Sequence, residues 1–136
     1  MTPEVRTRVP ALIVMHADLA AALLRAAAQV YGSVEDVEVL SNEGLSRREL
    51  QERIESFVTN WPHGGLVLTD FWGGSCHQSG AAVARGHGEV IVLTGLNLPT
   101  LLDYFHNRDR YPPAELAERL KTKGQDSIRV QHDAAP

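Results

Sequence analysis

Short runs of apolar residues alternate with longer segments of helical periodicity along this chain, and this alternation restricts the possible folds more than any other feature. The first run, residues 11–15 (ALIVM), contains no polar residue, as expected of a strand buried on both faces. Similar runs follow at residues 37–40, 66–69 and 90–93. Strands that alternate with helices form right-handed βαβ units and a parallel sheet covered on both faces. The sequence therefore predicts a doubly wound α/β fold with four strands.

Capping signals mark where the second and third helices begin. Ser46 with Glu49 has the spacing of a capping box, and Ser75 with Gln78 repeats that spacing. We expect the third helix to follow over residues 76–85. The fourth helix is expected to begin near Pro99, which suits a first helical turn.

The C-terminal part of the chain predicts a helix and then a strand. Pro112 and Pro113 suit the start of a fifth helix, and Gly124 is expected to end it. Residues 127–130 (SIRV) are predicted to form a short C-terminal edge strand.

Composition predicts a single domain over residues 1–136. The chain has 43% hydrophobic residues, enough to bury a core, and a formal net charge of -4 with no block of either sign. A nucleic-acid partner is therefore not expected. One cysteine allows no internal disulfide, and MTPEVRTRVP lacks the apolar run of a signal peptide, so we expect a cytoplasmic protein. Residues 1–9 and 131–136 are expected to fray.

Polar residues follow two strands that such a fold places side by side. His16 comes directly after the first strand and Asp70 directly after the third. Ligands of doubly wound sheets bind beyond the carboxyl ends of the strands, where the strand order reverses, and in a flavodoxin-like order this is between the first and third strands. A carboxylate that accepts the Nδ1 proton of an imidazole leaves Nε2 as a nucleophile. His16 and Asp70 are therefore the candidate nucleophile and its orienting residue, although a structural histidine and a turn-forming aspartate fit the same pattern.

A glycine-rich turn after Asp70 is a candidate anion site. Gly73, Gly74 and Ser75 lead into the third helix and offer backbone N–H groups and a hydroxyl at the positive end of a helix dipole. Such a turn also serves simple backbone geometry and capping. If it binds an anion, phosphoryl transfer at His16 requires no metal or other cofactor.

Three motifs, taken in order and spacing, resemble one family. They are IVMHADLAAALL, VLTDFWGGS and VLTGLNLPTLL, which begin at residues 13, 67 and 92. Over residues 11–130 the chain resembles the enzyme IIA domain of the mannose family of the phosphoenolpyruvate-dependent sugar phosphotransferase system. That family carries a phosphoryl group from phospho-HPr, on a histidine, to an enzyme IIB protein.

The resemblance implies roles for particular residues. It implies that His16 becomes the phosphohistidine, that Asp70 orients it and that Ser75 lines the site. Leu96 and Asn97 lie in the loop that borders the site, and with Trp72 they are expected to contact partner proteins.

The resemblance also implies an assembly. It implies a homodimer that exchanges its C-terminal strands, and indirect association with a membrane permease at the inner membrane. Sugar specificity in such systems resides in the permease and the IIB component, so this sequence does not identify the sugar.

Two positions depart from the family pattern. The family usually has glycine after the histidine and proline after WGGS, where this chain has Ala17 and Cys76. Alanine is expected to be tolerated there if its φ is negative. Loss of the proline is expected to alter the surface that IIB recognises or to loosen the loop.

Other functions remain open from the sequence. Cys76 beside His77, at a helix start, is a candidate thiolate nucleophile, with a small buried thiol as the simpler interpretation. The remaining histidines show no metal-ligand spacing, so no metal is expected. A regulatory phosphohistidine module and the phosphoryl donor of a dihydroxyacetone kinase are both built with the same site.

Overall fold

The computed structural model describes residues 8–132, so residues 1–7 and 133–136, which include most of the expected frayed ends, lie outside it. The four strands are β1 (Ala11–Met15), β2 (Val37–Ser41), β3 (Gly65–Thr69) and β4 (Val90–Thr94). The five helices are α1 (Leu19–Tyr31), α2 (Arg47–Val58), α3 (Ser75–Ala84), α4 (Leu98–Asn107) and α5 (Pro113–Ser127).

The sheet is wholly parallel, and its strand order is β2-β1-β3-β4. The doubly wound α/β fold predicted from the alternating pattern is therefore confirmed. The first and third strands are neighbours, with Val14 of β1 opposite Thr69 of β3. This register brings the residues that follow both strands to the same edge of the sheet.

The central strands are apolar because both faces of the sheet are covered. Ile13 and Leu68 pack in one buried cluster with side chains of α1, α4 and α5. Leu12, Val14 and Val67 pack in a second cluster with side chains of α2 and α3. Every residue of β1 and β3 is buried, which holds the two carboxyl ends rigidly beside each other.

The expected helix end at Gly124 is wrong, and in the described residues of the single chain the expected C-terminal strand is not formed. Helix α5 continues through Gly124 to Ser127, and residues 127–130 form no strand. Gly124 is there for packing, because a Cβ at this position would lie 2.7 Å from Oγ1 of Thr100. The Ser127 hydroxyl donates to the Gly124 carbonyl at 2.7 Å and accepts from the Asn97 amide at 3.0 Å, which extends the last turn.

One of the two capping boxes is present. The Ser46 hydroxyl accepts from the Glu49 amide at 3.1 Å, and the Glu49 carboxylate accepts from the Ser46 amide at 2.9 Å. The second box is wrong, because α3 already begins at Ser75 and its N-cap, Gly74, has no side chain to accept a bond. Within residues 8–132, no helix has the length and apolar character needed to cross a membrane.

Candidate functional site

His16 and Asp70 meet at the carboxyl ends of β1 and β3. Oδ2 of Asp70 lies 2.7 Å from Nδ1 of His16 and also accepts the backbone N–H of His16 at 2.9 Å. The second carboxylate oxygen accepts the Phe71 amide at 3.1 Å. Three hydrogen bonds therefore fix the carboxylate, and two of them join it to the residue whose ring it orients.

Electrostatics keep the Asp70 carboxylate ionised. Burial alone raises the pKa of Asp70, but the hydrogen bonds from the His16 amide and ring outweigh that effect and lower the pKa below its usual value. An ionised acceptor at 2.7 Å assigns the ring proton to Nδ1. The lone pair of the neutral imidazole is then on Nε2, and 37% of the His16 side chain is exposed.

Ser75 lies on the Nε2 side of the ring. Its hydroxyl oxygen is 3.4 Å from Nε2 of His16, and Ser75 is the first residue of α3. The amides of the first helical turn have no partner within the helix and point toward its N-terminal end. The Ser75 hydroxyl therefore lies beside the nitrogen that carries the lone pair, at the N-terminal end of α3.

The backbone amides of Gly73 and Gly74, which were expected to bind an anion, have other hydrogen-bond partners in the structure. The Gly73 amide donates to Nδ1 of His77 at 2.9 Å, and the Gly74 amide donates to the Phe71 carbonyl at 3.4 Å. Both N–H groups therefore have hydrogen-bond partners inside the loop. Gly73 has a φ of 88°, a conformation that favours glycine.

His77, named from the sequence only as the neighbour of Cys76, holds this loop together. It accepts the Gly73 amide, and the Trp72 ring packs against it with ring centroids 4.3 Å apart. Trp72 itself is 78% exposed. The Trp72 ring is therefore accessible from solvent while the His77 ring packs against it.

Phe71 is a site residue that sequence reasoning missed. Its ring stacks on the His16 imidazole with centroids 5.1 Å apart and an interplanar angle of 28°. The same ring lies close to Gly74, where a Cβ would lie only 2.6 Å from the phenyl ring. The phenyl ring thus fills the space between the imidazole and the glycine turn, and no periodicity or spacing in the sequence signals such a contact.

Ala17 does not have the negative φ under which alanine was expected to be tolerated. Its φ is 52°, in the left-handed region, which explains why glycine suits this position and why alanine is strained there. The Ala17 amide donates to Oδ1 of Asn42 at 3.3 Å. Asn42 follows β2, the strand next to β1, so its place after a neighbouring strand was the signal that could have identified it.

Cys76 is buried and unsuited to nucleophilic attack. It is wholly inaccessible, and burial together with the charge of Asp70 raises the pKa of its thiol to about 11. The thiolate-nucleophile hypothesis is therefore rejected. Its sulfur lies 3.8 Å from Nδ1 of His16, so Cys76 packs directly behind the imidazole.

The loop after β4 contributes less to the surface than expected. Leu96 is only 8% exposed and belongs to the apolar core, which corrects its interpretation as a partner contact. Asn97 caps α4, because its side-chain oxygen accepts the Thr100 amide at 3.0 Å. Of the three expected partner contacts, Trp72 alone is strongly exposed.

Comparisons with known proteins match most of this chain to one family. Residues 11–121 match the EIIA-man family, described as "PTS system fructose IIA component". The "PTS system fructose-specific EIIA component" of Bacillus subtilis (strain 168) is 27% identical over 120 residues, covering 85% of this chain and 81% of that protein. The "PTS system sorbose-specific EIIA component" of Klebsiella pneumoniae is 26% identical over 114 residues, covering 83% and 84%.

The fold is shared with solved structures. A phosphotransferase system component EIIA from Streptococcus agalactiae superposes with a TM-score of 0.83 at 23% identity, covering 90% of this chain and 96% of that one. The agreement over nearly the whole of both chains shows that the strand order and helix placement are common to the two proteins.

Proposed function

Since the chain belongs to the EIIA-man family of sugar phosphotransferase system components, we propose that His16 accepts a phosphoryl group from phospho-HPr and transfers it to an enzyme IIB protein. One observation carries this proposal: Asp70 holds Nδ1 of His16 at 2.7 Å while Ser75 lies beside Nε2 at 3.4 Å. The imidazole is thus oriented at one nitrogen and left with a lone pair at the other.

The first transfer uses that lone pair. Nε2 of His16 attacks the phosphorus of phospho-HPr, the phosphorus–nitrogen bond to the donor breaks, and its electrons return to the donor imidazole. Positive charge develops on the His16 ring, and the Asp70 carboxylate stabilises it through Nδ1–H. The Ser75 hydroxyl and the first-turn amides of α3 donate to the phosphoryl oxygens. The second transfer reverses these steps with a nucleophile of IIB as the acceptor.

The exposed surface around the site suits a protein partner. Trp72 is 78% exposed and Phe71 52% exposed, and both lie in the loop that leads into α3, whose first turn carries the proposed hydrogen-bond donors to the phosphoryl group. Exposed aromatic side chains are common anchors of protein interfaces. We expect HPr and IIB to bind in turn over this loop, because both must present their reacting group to the same Nε2.

A homodimer is the assembly that the free edge of the sheet favours. In residues 8–132, β4 pairs with β3 on one side and with no strand on the other. Ile128 and Val130, which follow α5, are 79% and 86% exposed. A β-strand edge and an exposed apolar segment suit exchange between two copies, each segment pairing with the edge of its partner. Sedimentation of the full chain and of a chain ending at residue 127 tests this: the first should be dimeric and the second monomeric.

The proposed transfer is tested by intact-mass spectrometry of the protein after incubation with phosphoenolpyruvate, enzyme I and HPr. The parent should gain one phosphate under conditions that preserve acid-labile phosphohistidine, and His16→Ala should gain none. His106→Ala is the matched control and should be modified like the parent. An unmodified parent in the presence of phosphorylated HPr would contradict the proposal and favour a binding or regulatory module on the same fold.

A further inference from the structure

Three potential metal ligands converge behind the His16 ring. Nδ1 of His16, a carboxylate oxygen of Asp70 and the sulfur of Cys76 all lie within 4.8 Å of one another. In the part of the chain that the structure describes, no other three histidine, cysteine or acidic residues group in this way. Imidazole, thiolate and carboxylate are the ligands that Zn²⁺ takes in proteins.

The spacing of these atoms is close to that of a tetrahedral site. Zinc bonds of about 2.3 Å to sulfur and about 2.0 Å to nitrogen or oxygen place neighbouring ligand atoms about 3.3 to 3.6 Å apart. The observed separations are 2.7 Å from Nδ1 to Asp70 and 3.8 Å from Nδ1 to sulfur. An ion therefore requires the His–Asp pair to open by roughly half an ångström, and it requires the Asp70 oxygen and the Cys76 sulfur, which lie within 4.8 Å of each other, to reach the tetrahedral separation as well.

The charges of the ligands suit a divalent ion. An ionised Asp70 and a Cys76 that has lost its proton together balance the two charges of the ion. The His16 side chain is 37% exposed, whereas Cys76 is inaccessible. Sulfur as a ligand favours Zn²⁺ or Co²⁺ over Mg²⁺.

We infer that His16, Asp70 and Cys76 form a zinc site that competes with phosphorylation of His16. An ion on Nδ1 uses the lone pair of that nitrogen, so the ring proton moves to Nε2 and the proposed nucleophile is lost. The thiol proton is released to solvent. Its effect on transfer rests on the proposed function, whereas binding of the ion does not.

Cobalt reports whether the sulfur is a ligand. The full-length protein is titrated with Co²⁺, whose bond to a thiolate gives a charge-transfer absorption band in the near ultraviolet. We expect one Co²⁺ per chain with that band, and displacement by Zn²⁺ but not by Mg²⁺. Cys76→Ala should lose the band and lower the Co²⁺ affinity by roughly 100-fold or more. His16→Ala should also weaken binding, whereas the control His106→Ala should not.

The consequence for transfer is measured with purified phospho-HPr from which enzyme I has been removed. Zinc therefore cannot change the rate by acting on enzyme I. For each protein, the rate with equimolar Zn²⁺ is divided by the rate with a chelator. The ratio should fall at least about tenfold below one for the parent and stay near one for Cys76→Ala and Cys76→Pro. Thermal unfolding curves check that both variants are folded.

Three results would overturn the inference: Co²⁺ binding without the thiolate band, equal loss of rate in the parent and in both Cys76 variants, or a rate of the parent that zinc does not change. Phosphorylation in the presence of chelator tests the proposed function separately. A parent that is phosphorylated in chelator but unaffected by zinc would reject the zinc site and leave the carrier proposal standing.

Discussion

Replacing Asp70 by asparagine is the change that bears most directly on how the fold activates His16. Asparagine has nearly the same shape and keeps an oxygen that can accept the His16 amide. It removes the negative charge of a carboxylate that lies 2.7 Å from Nδ1 of His16, on a side chain that is only 9% exposed. The variant therefore separates the charge of the orienting residue from its geometry.

The size of the effect follows from that hydrogen bond. A hydrogen bond to a charged group contributes about 1.5 to 3 kcal/mol, and this one strengthens as positive charge develops on the ring during attack. Because each 1.36 kcal/mol changes a rate about tenfold, loss of this stabilisation slows transfer by roughly 10- to 150-fold. The neutral amide also permits the other ring tautomer, which acts in the same direction.

The assay is a single-turnover reaction between purified phospho-HPr and the protein, stopped at intervals and read by mass. Asp18→Asn is the matched control, because it removes the same charge near the same sheet edge and the Asp18 side chain makes no capping bond. We expect it to react within about threefold of the parent, since its charge is screened. An Asp70→Asn protein that reacts as fast as Asp18→Asn would refute the stabilising role of the Asp70 charge.

Four further predictions follow from the same site. Ala17→Gly should raise the free energy of unfolding by up to about 1 kcal/mol in urea titrations, because it relieves the strain of a φ of 52°; a loss of stability would contradict this. Phe71→Leu keeps an apolar side chain but removes the ring that stacks on His16, so the phosphorylated form should hydrolyse faster in a mass time course than the phosphorylated parent; an unchanged lifetime would dismiss shielding by the phenyl ring. Because the pKa of Asp70 is lowered in the fold, its ionised form stabilises the fold at a pH above the usual aspartate pKa, and this stability is lost as the pH falls through the lowered pKa. The difference in unfolding free energy between the parent and Asp70→Asn should therefore become smaller in acid, and a difference that becomes larger would contradict this. With its pKa raised to about 11, Cys76 should react with iodoacetamide far more slowly in the native protein than in urea, and equal rates would restore the nucleophile hypothesis.

The arrangement of the fold could be predicted because it depends on patterns that are local in sequence. Residues 11–15 are wholly apolar and the next segment has helical spacing, and the same order repeats. Parallel strands in turn place His16 and Asp70 at one edge, so their meeting required no knowledge of side-chain packing. These inferences used only strand direction and the order of the elements.

Predictions failed where a contact from elsewhere in the chain decides the structure. Gly124 signals a helix end by itself, yet Thr100 packs against it and α5 continues to Ser127. Leu96 follows a strand in a loop, yet its side chain turns into the core. The order of residues along the chain does not show which side chains contact each other in the folded protein.

The contacts of the site were missed for the same reason. Phe71 stacks on His16, although the sequence places it beside Asp70 and says nothing of the direction of its ring. The bond from Gly73 to His77 depends on the turn geometry, which also removed Gly73 from the expected anion site. The positive φ of Ala17 came from the structure alone, although the family preference for glycine pointed to that position.

The nitrogen that carries the phosphoryl group tests the central claim most directly. Long-range ¹H–¹⁵N correlation spectra of the protein phosphorylated by HPr, with ¹⁵N-labelled histidine, distinguish phosphate on Nε2 from phosphate on Nδ1. The account predicts phosphate on Nε2 of His16, with Nδ1 still protonated toward Asp70. Phosphate on Nδ1, or on any other histidine, would contradict it.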